Sequence, residues 1–368
     1  MIIGVPTEVL NNEYRVAITP TGVHELIGLG HEVLIQVGAG VGSSFTDAEY
    51  ELAGARLVPD ATEIWAASEM ILKVKEPQPE EYALMRDGQI LFTYLHLAAS
   101  LQCTQALLDA GVTGIAYETV QLADRSLPLL APMSELAGRL AVQIGANLLM
   151  TPAGGRGVLL SGVPGTPKAH IVVIGGGAAG ENAARMGLGL GADVTVFDIS
   201  VPRLRELDFR YQGQLNTLRS SPFDITEALK DADLVIGSVL IPGAAAPKLV
   251  TNEMVAGMKQ GSVLIDIAID QGGCFADSRP TTHEHPTFTV HQSTFYCVTN
   301  MPGSVPNTST RALTNATMPY ITKIANFGLE ASLRTDPALL LGLNTYQGGV
   351  TNASVAEALH LEHVPYRI

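Results

Sequence analysis

The sequence predicts an α/β protein built from two doubly wound, mainly parallel sheets. Three observations carry this expectation. Short apolar runs of strand length alternate with amphipathic stretches of helical length. A glycine-rich turn lies between one such strand and one such helix. And 368 residues, 46% of them hydrophobic, suffice for two cores at roughly 100–200 residues per domain.

In chain order, Ile2–Pro6, Glu32–Val37, Ile71–Val74, Ile90–Leu95 and Gly114–Tyr117 read as strands, with helices over Thr21–Leu29, Thr46–Ala53 and Cys103–Ala110. Thr19-Pro20 starts the first helix, because the hydroxyl caps exposed N–H groups and proline there loses no hydrogen bond. Gly30 supplies the stop. Near residue 130 the rhythm changes: Pro128 and Pro132 are followed by a long helical run, Ser134–Met150, and the Gly/Pro-rich connector Gly154–Pro167 introduces a second domain. There His170–Gly175, Asp193–Asp198, Leu234–Val239 and Val263–Ile267 read as strands, with a helix over Gly176–Leu190, and Phe288–Val290 and Tyr296–Val298 continue the sheet. A helix over Thr310–Asn326 and a last one near Ser354–Leu361 form a tail too small for a third core. The tail is expected to pack back on the first domain. The expected division is a discontinuous domain, 1–128 with 307–368, around an inserted one, 129–306.

Only 16% of residues are charged, against about 25% in an average soluble chain. Together with a mean hydropathy of +0.23 this suggests either that copies of the chain cover part of its apolar surface or that the core is large and well buried. A net charge of −14 without a Lys/Arg cluster argues against nucleic acid as a partner. The longest apolar helical run, Leu136–Met150, is broken by Arg139, Gln143 and Asn147 and is shorter than the ~20 residues of a membrane span. The opening Met1–Pro6 has no basic leader and reads as a first strand, so a cytoplasmic protein is expected. Cys103, Cys274 and Cys297 are far apart and read as reduced thiols. His283-Glu284-His285 lacks a third ligand and His360/His363 fits an exposed helix, so no metal is expected.

Gly175-Gly176-Gly177-Ala178-Ala179-Gly180 is a G-x-G-x-x-G run between the strand Ile171–Ile174 and the helix Glu181–Leu190. The next strand ends on an acid, Asp198, at the spacing of roughly 20 residues that dinucleotide sites use. Gly175 makes the tight turn, Gly177 lets the backbone approach a pyrophosphate, Gly180 lets helix and strand pack closely, and the helix N-terminus offers N–H donors. Asp198 is expected to bind the adenosine ribose hydroxyls and repel a 2′-phosphate, which favours NAD over NADP. Arg203 complicates this, since a nearby cation tolerates a 2′-phosphate.

In the first domain Arg15, Lys75 and His96 stand just past predicted parallel strands, where open α/β sheets collect ligands, and Asp270 holds the same place in the second. This set suits a small carboxylic acid. Arg15 can fork onto a carboxylate, Lys75 can hold a carboxylate or carbonyl oxygen, and His96 can exchange protons near neutral pH. Each residue has a plainer reading too: solvated strand-end cations, a hydrogen-bonded core histidine, and an aspartate that shapes the turn before Gly272-Gly273.

These residues sit in stretches that resemble the alanine dehydrogenase and pyridine nucleotide transhydrogenase family. The resemblance runs through Gly4–Glu8, Asn12–Pro20 with Gly22-Val23, Lys73–Pro77, Thr93–Ser100, Pro132–Glu135, Ile174–Gly180, Asp266–Cys274 and Asn300–Pro302. It implies two Rossmann-like domains with a cleft between them, a homohexamer, and reversible NAD-dependent oxidative deamination of L-alanine to pyruvate and ammonium. By this resemblance Arg15 and Lys75 bind substrate, and His96 and Asp270 are the acid/base pair. Cofactor contacts carry over to Ser134, Ala178, Asp198, Arg203, Ser220, Val239, Leu240, Ile267, Ala268, Ile269, Asp270, Arg279, Val298, Thr299, Asn300 and Met301. Glyoxylate amination is an expected side activity, and three alternatives remain at this point: an NAD(H)-binding transhydrogenase subunit, a dehydrogenase for glycine/glyoxylate or a larger amino acid, and a non-enzymatic NAD-responsive protein.

Overall fold

The computed structural model describes residues 1–239 and 246–367. The chain forms two compact units, Met1–Met133 with Val305–Ile368, and Ser134–Ser304. Its strands are β1 (Ile2–Val5), β2 (Glu32–Gln36), β3 (Arg56–Val58), β4 (Met70–Leu72), β5 (Ile90–Thr93), β6 (Thr113–Ala116), β7 (His170–Ile174), β8 (Asp193–Asp198), β9 (Asn216–Arg219), β10 (Leu234–Gly237), β11 (Val263–Asp266), β12 (Thr287–Val290), β13 (Ser293–Tyr296), β14 (Leu343–Tyr346) and β15 (Gly349–Val350).

The first unit carries an eight-stranded sheet in the order β15-β14-β6-β5-β4-β1-β2-β3. Strands β1 to β6 pair in parallel, and the tail adds β14 antiparallel to β6. Strand order reverses at β1, which has β2 on one side and β4 on the other, so a ligand-accepting crevice is expected at their carboxyl ends. The second unit carries β12-β13-β11-β10-β7-β8-β9, with the reversal at β7.

Parallel strands covered on both faces need apolar residues at every position, and β7 illustrates this. Ile171 and Val173 join Val194, Val196, Leu234 and Ile236 on one face. Val172 and Ile174 join Val235, Leu264, Phe275 and Phe295 on the other. Helices close the layers, and their ends follow local chemistry. In the helix Pro20–Gly28, Thr19 accepts the Gly22 N–H, and the chain leaves through Gly30 at φ +86°.

Several expected boundaries move. The strand expected over Tyr296–Val298 is β13, ending at Tyr296, because the hairpin at His291 (φ +51°) pairs Val290 with Ser293 and sets an earlier register. The strand expected to reach Ile267 stops at Asp266, and Ile267–Gln271 is a 3-10 turn. β3 and β9 go unpredicted: both are short edge strands, and Asn-Thr-Leu-Arg lacks an apolar run. Among the described residues, no helix is long and apolar enough to cross a membrane, and all three cysteines are buried free thiols.

Candidate active site

In the first unit β1, β4 and β5 are neighbours, and the segments leaving their carboxyl ends carry Arg15, Lys73 to Lys75 and His96. Arg15 is buried. Its Nε donates to Glu13 Oε1 at 2.7 Å and Nη2 to Oε2 at 2.6 Å, while Nη1 lies 3.2 Å from the Met133 sulfur. Glu13 takes the Nε and Nη2 edge of the guanidinium and also accepts the Arg15 N–H at 3.1 Å. A bidentate partner fixes the guanidinium plane and satisfies a charge taken out of water.

Two residues before Lys75, Lys73 is fully buried. Its ammonium sits 3.0 Å from Glu8 and 2.9 Å from Glu81. Glu8 comes from the segment after β1 and also accepts the Val74 N–H at 2.5 Å and the Lys75 N–H at 3.4 Å. One carboxylate thus clamps the turn that carries Lys75. Burial pushes the Glu8 carboxyl above its ordinary range against the pull of Lys73 and the Val74 N–H. For Lys73 burial works downward, but Glu8 and Glu81 outweigh it and hold the ammonium charged. Lys75 itself is half-buried, and its ammonium makes no hydrogen bond or ion pair among the described residues.

His96 is 41% exposed at its side chain, so the core-histidine reading does not hold. Its φ of +48° lies in the left-handed region, a strained position for a residue with a Cβ. Glu118 accepts the His96 N–H at 2.6 Å and the Leu95 N–H at 3.2 Å, which holds this turn. Glu76 lies 3.3 Å from Nδ1, and Tyr94 stacks on the ring at 5.9 Å between centroids. Tyr94 is in turn fixed by donating its hydroxyl to the Leu129 carbonyl at 2.6 Å. Desolvation lowers the imidazole pKa and Lys75 opposes its charge, yet Glu118 and Glu76 prevail and raise it.

In the second unit Gly175 turns at φ +102°, and Gly177 caps the twelve-residue helix Ala178–Gly189. A Cβ on Gly180 would stand 1.8 Å from the Gly175 carbonyl oxygen, so this glycine is required by packing. Among the described residues, a Cβ on Gly177 would meet nothing within 4 Å. That open space, in front of unpaired N–H groups at a helix N-terminus, fits a pyrophosphate. Asp198 Oδ2 accepts the Gly176 N–H at 2.7 Å and Oδ1 the Ser200 N–H at 2.8 Å, while Ser220 donates its N–H to the Asp198 carbonyl at 2.9 Å. Arg203 donates Nε to the Gly176 carbonyl at 2.7 Å. Gly175, Gly177, Ala178, Gly180, Asp198, Arg203 and Ser220 therefore form one linked set, locked by buried Ser238, whose hydroxyl lies 2.9 Å from the Gly175 carbonyl.

Asp270 is exposed on the turn after β11. That turn is organised by Asp266, which accepts the N–H groups of Ala268 at 3.1 Å and Cys274 at 2.9 Å and the Ser278 hydroxyl. Burial raises the Asp266 carboxyl pKa despite these donors. Ile267 and Asp270 ride on the same turn as buried Ala268 and Ile269. Ser134 is half-buried in the helix Ala131–Leu148, and Val239 is half-buried just past β10. Arg279 lies over the Phe288 ring at 4.4 Å, Val298 bridges Thr281, the Thr299 N–H reaches the Thr281 carbonyl at 3.4 Å, Asn300 is left-handed at φ +59°, and Met301 is packed in the core. Leu240 lies outside the described residues. Glu8, Glu13, Glu76, Glu118 and Asp266 are the functional neighbours that sequence reasoning missed. Two of them had a local signal: Glu13 and Glu76 stand two and one residues from Arg15 and Lys75.

Comparison with known proteins agrees across the chain. Residues 4–137 match the family model "Alanine dehydrogenase/PNT, N-terminal domain" and residues 141–353 its C-terminal counterpart. The chain is 61% identical to an alanine dehydrogenase of Mycobacterium tuberculosis over 359 residues, 98% of this chain and 97% of that protein. It is 56% identical to an alanine dehydrogenase of Halomonas elongata, covering 99% and 98%. A solved structure titled L-alanine dehydrogenase superposes with a TM-score of 0.94 at 49% identity, covering 98% of this chain and 99% of that one. A transhydrogenase from Sinorhizobium meliloti gives 0.83 at 26% identity, covering 95% and 100%.

Proposed function

From the premise that this chain belongs to the alanine dehydrogenase and pyridine nucleotide transhydrogenase family, we propose that it catalyses the reversible oxidative deamination of L-alanine to pyruvate and ammonium with NAD. It is an NAD-dependent oxidoreductase of the alanine dehydrogenase type. Bound NAD supplies the acceptor for the hydride that leaves the alanine Cα. The observation that carries the residue assignments is the delivery of Arg15, Lys75 and His96 by three adjacent parallel strands, each held by its own buried or half-buried carboxylate.

In this reading Lys75, whose ammonium makes no hydrogen bond or ion pair among the described residues, takes the substrate carboxylate or carbonyl oxygen. Arg15, with its plane fixed by Glu13, adds positive charge beside it. His96 moves protons while water adds to the imine and the carbinolamine collapses, and a raised pKa suits an imidazole that must give as well as take a proton near neutrality. Asp270 serves as the second acid/base group. The glycine loop, Asp198 and the flanking segments hold the dinucleotide, with Asp198 on the ribose hydroxyls.

The direct test is NADH formation when L-alanine is added to protein and NAD at alkaline pH; no NADH would remove this reading. His96→Ala should lower kcat about 10²–10⁴-fold if His96 is the general acid/base, and near-normal turnover would remove it from that role. The likeness to a transhydrogenase supports a second reading, a hydride-passing NAD(H)-binding subunit. Alanine-dependent NADH production by the isolated chain separates the two. Glyoxylate amination is proposed as a side activity, since a pocket for one methyl group discriminates against its loss by only ~1–3 kcal/mol. A homohexamer in the cytoplasm is proposed as well. Exposed Leu52, Ile199, Phe209, Phe223 and Phe327 support self-association, which sedimentation would measure.

A further inference from the structure

An arginine beside the dinucleotide loop has each of its three nitrogens engaged by the protein. One peptide of the loop, Gly176, gives its N–H to Asp198 at 2.7 Å and receives at its carbonyl the Arg203 Nε, also at 2.7 Å. Asp198 and Arg203 thus flank the same glycine. A guanidinium placed there is the group that accommodates a 2′-phosphate on the adenosine ribose. Here, however, Nη2 donates to Glu181 and Nη1 lies 2.7 Å from Glu206. Arg210 closes the network by donating to Glu181 and, at 2.6 Å, to Glu206. The Arg203 side chain is 22% exposed and that of Glu181 13%, so solvent and salt screen this pair less than a surface one.

We propose that Glu181, assisted by Glu206, is a cofactor-specificity residue: it pins Arg203 to the loop and neutralises it, so that the site refuses NADP through a pre-engaged arginine as well as through the Asp198 carboxylate. The inference rests on reading the glycine loop as a dinucleotide site. In this reading a cation next to the ribose-binding acid does not make the site NADP-tolerant, because both Nη groups already face carboxylates and a phosphate would have to displace them. It also predicts an asymmetry. Neutralising Asp198 alone removes a repulsion but leaves the Arg203 charge paired with its carboxylates, whereas neutralising Glu181 and Glu206 as well releases that charge for a phosphate.

Calorimetric titration of the full-length protein with NAD and with NADP tests this on the unaltered chain, Asp198→Asn, and the combination of Asp198→Asn with Glu181→Gln and Glu206→Gln. The combination should improve the NADP-to-NAD affinity ratio at least about tenfold over Asp198→Asn alone, the scale of one charge-assisted contact. Its NADP binding should weaken steeply with added salt, and adding Arg203→Ala should cancel the gain. An unchanged ratio, or a gain that survives Arg203→Ala, would overturn the proposal. Should the combination fold poorly, Asp198→Asn with Glu206→Gln alters only the more exposed carboxylate and should move the ratio in the same direction by less; no movement there would also count against it. Failure of the unaltered protein to bind NAD is a different result, and it would overturn the dinucleotide reading itself.

Discussion

The two units build their sites from different materials. In the second, the decisive features are backbone: a glycine turn, the open space at Gly177, the close approach at Gly180 and a helix N-terminus, with Asp198 held by two N–H groups. In the first, they are paired charged side chains: Arg15 with Glu13 and Lys73 with Glu8 and Glu81 in the interior, and His96 with Glu76 nearer the surface. A backbone site tolerates changes wherever a Cβ has room and fails where it has none. A site of paired charges fails when one partner is removed, because the other is left buried and uncompensated.

The largest effect should come from Gly180→Val in the second unit. With a Cβ 1.8 Å from the Gly175 oxygen, the helix Ala178–Gly189 has to leave the strand it packs on. Destabilisation beyond about 5 kcal/mol, the exceptional end for a point substitution, is expected in urea unfolding together with loss of NAD binding. A native-like midpoint would break the claim that this glycine is fixed by packing. Next is Glu81→Ala in the first unit, which leaves Lys73 with one of its two carboxylates. Glu8 still compensates the ammonium, so the loss is that of a charge-assisted hydrogen bond, roughly 1.5–3 kcal/mol, and Glu81→Gln, which keeps a hydrogen-bonding oxygen, should cost less. Equal costs for the two variants would show that packing, not charge, sets the value.

A smaller change sharpens the contrast within the same glycine motif. Gly177→Ala has room for its methyl group, so stability should fall by about 1 kcal/mol or less, the helix-cap cost alone. NAD affinity should nevertheless drop at least about tenfold, because the methyl occupies the space assigned to the pyrophosphate. If stability fell as far as in Gly180→Val, or affinity did not change, the division of the motif into one packing glycine and one ligand glycine would be wrong.

The same difference decides what was legible in the sequence. The glycine motif declares itself because its parts are contiguous and each answers to a local requirement: φ of +102° at Gly175, no tolerance for a Cβ at Gly180, an acid at the end of the next strand. Arg15, Lys75 and His96 were findable from their places after strands. Of their partners, only Glu13 and Glu76 had a local signal. Glu8 and Lys73 are 65 positions apart and meet only because β1 and β4 pair, and Glu118 reaches the His96 N–H across 22 positions. Nothing local distinguishes such a carboxylate from a solvated one. For the same reason Arg203 looked like a free cation, although Glu181 and Glu206 engage it.

The finest probe of the comparison is a half-exposed pair in the first unit, His96 with Glu76. Its folded-state imidazole pKa is raised, so the stabilisation it gives is fully present below the ordinary histidine value of about 6.5 and is lost as pH rises through the raised one. Glu76→Gln removes one of the two carboxylates responsible and should lower that pKa, narrowing this window from its alkaline side. Glu118 remains, so the imidazole should still titrate above a variant in which both are neutral. The effect is expected to be the smallest of the four, because a pair this exposed is worth under about 1 kcal/mol. Imidazole proton shifts followed by NMR against pH measure it. An upward or absent shift would mean that Glu76 only shapes the turn, leaving Glu118 as the carboxylate that tunes the proton-transfer group.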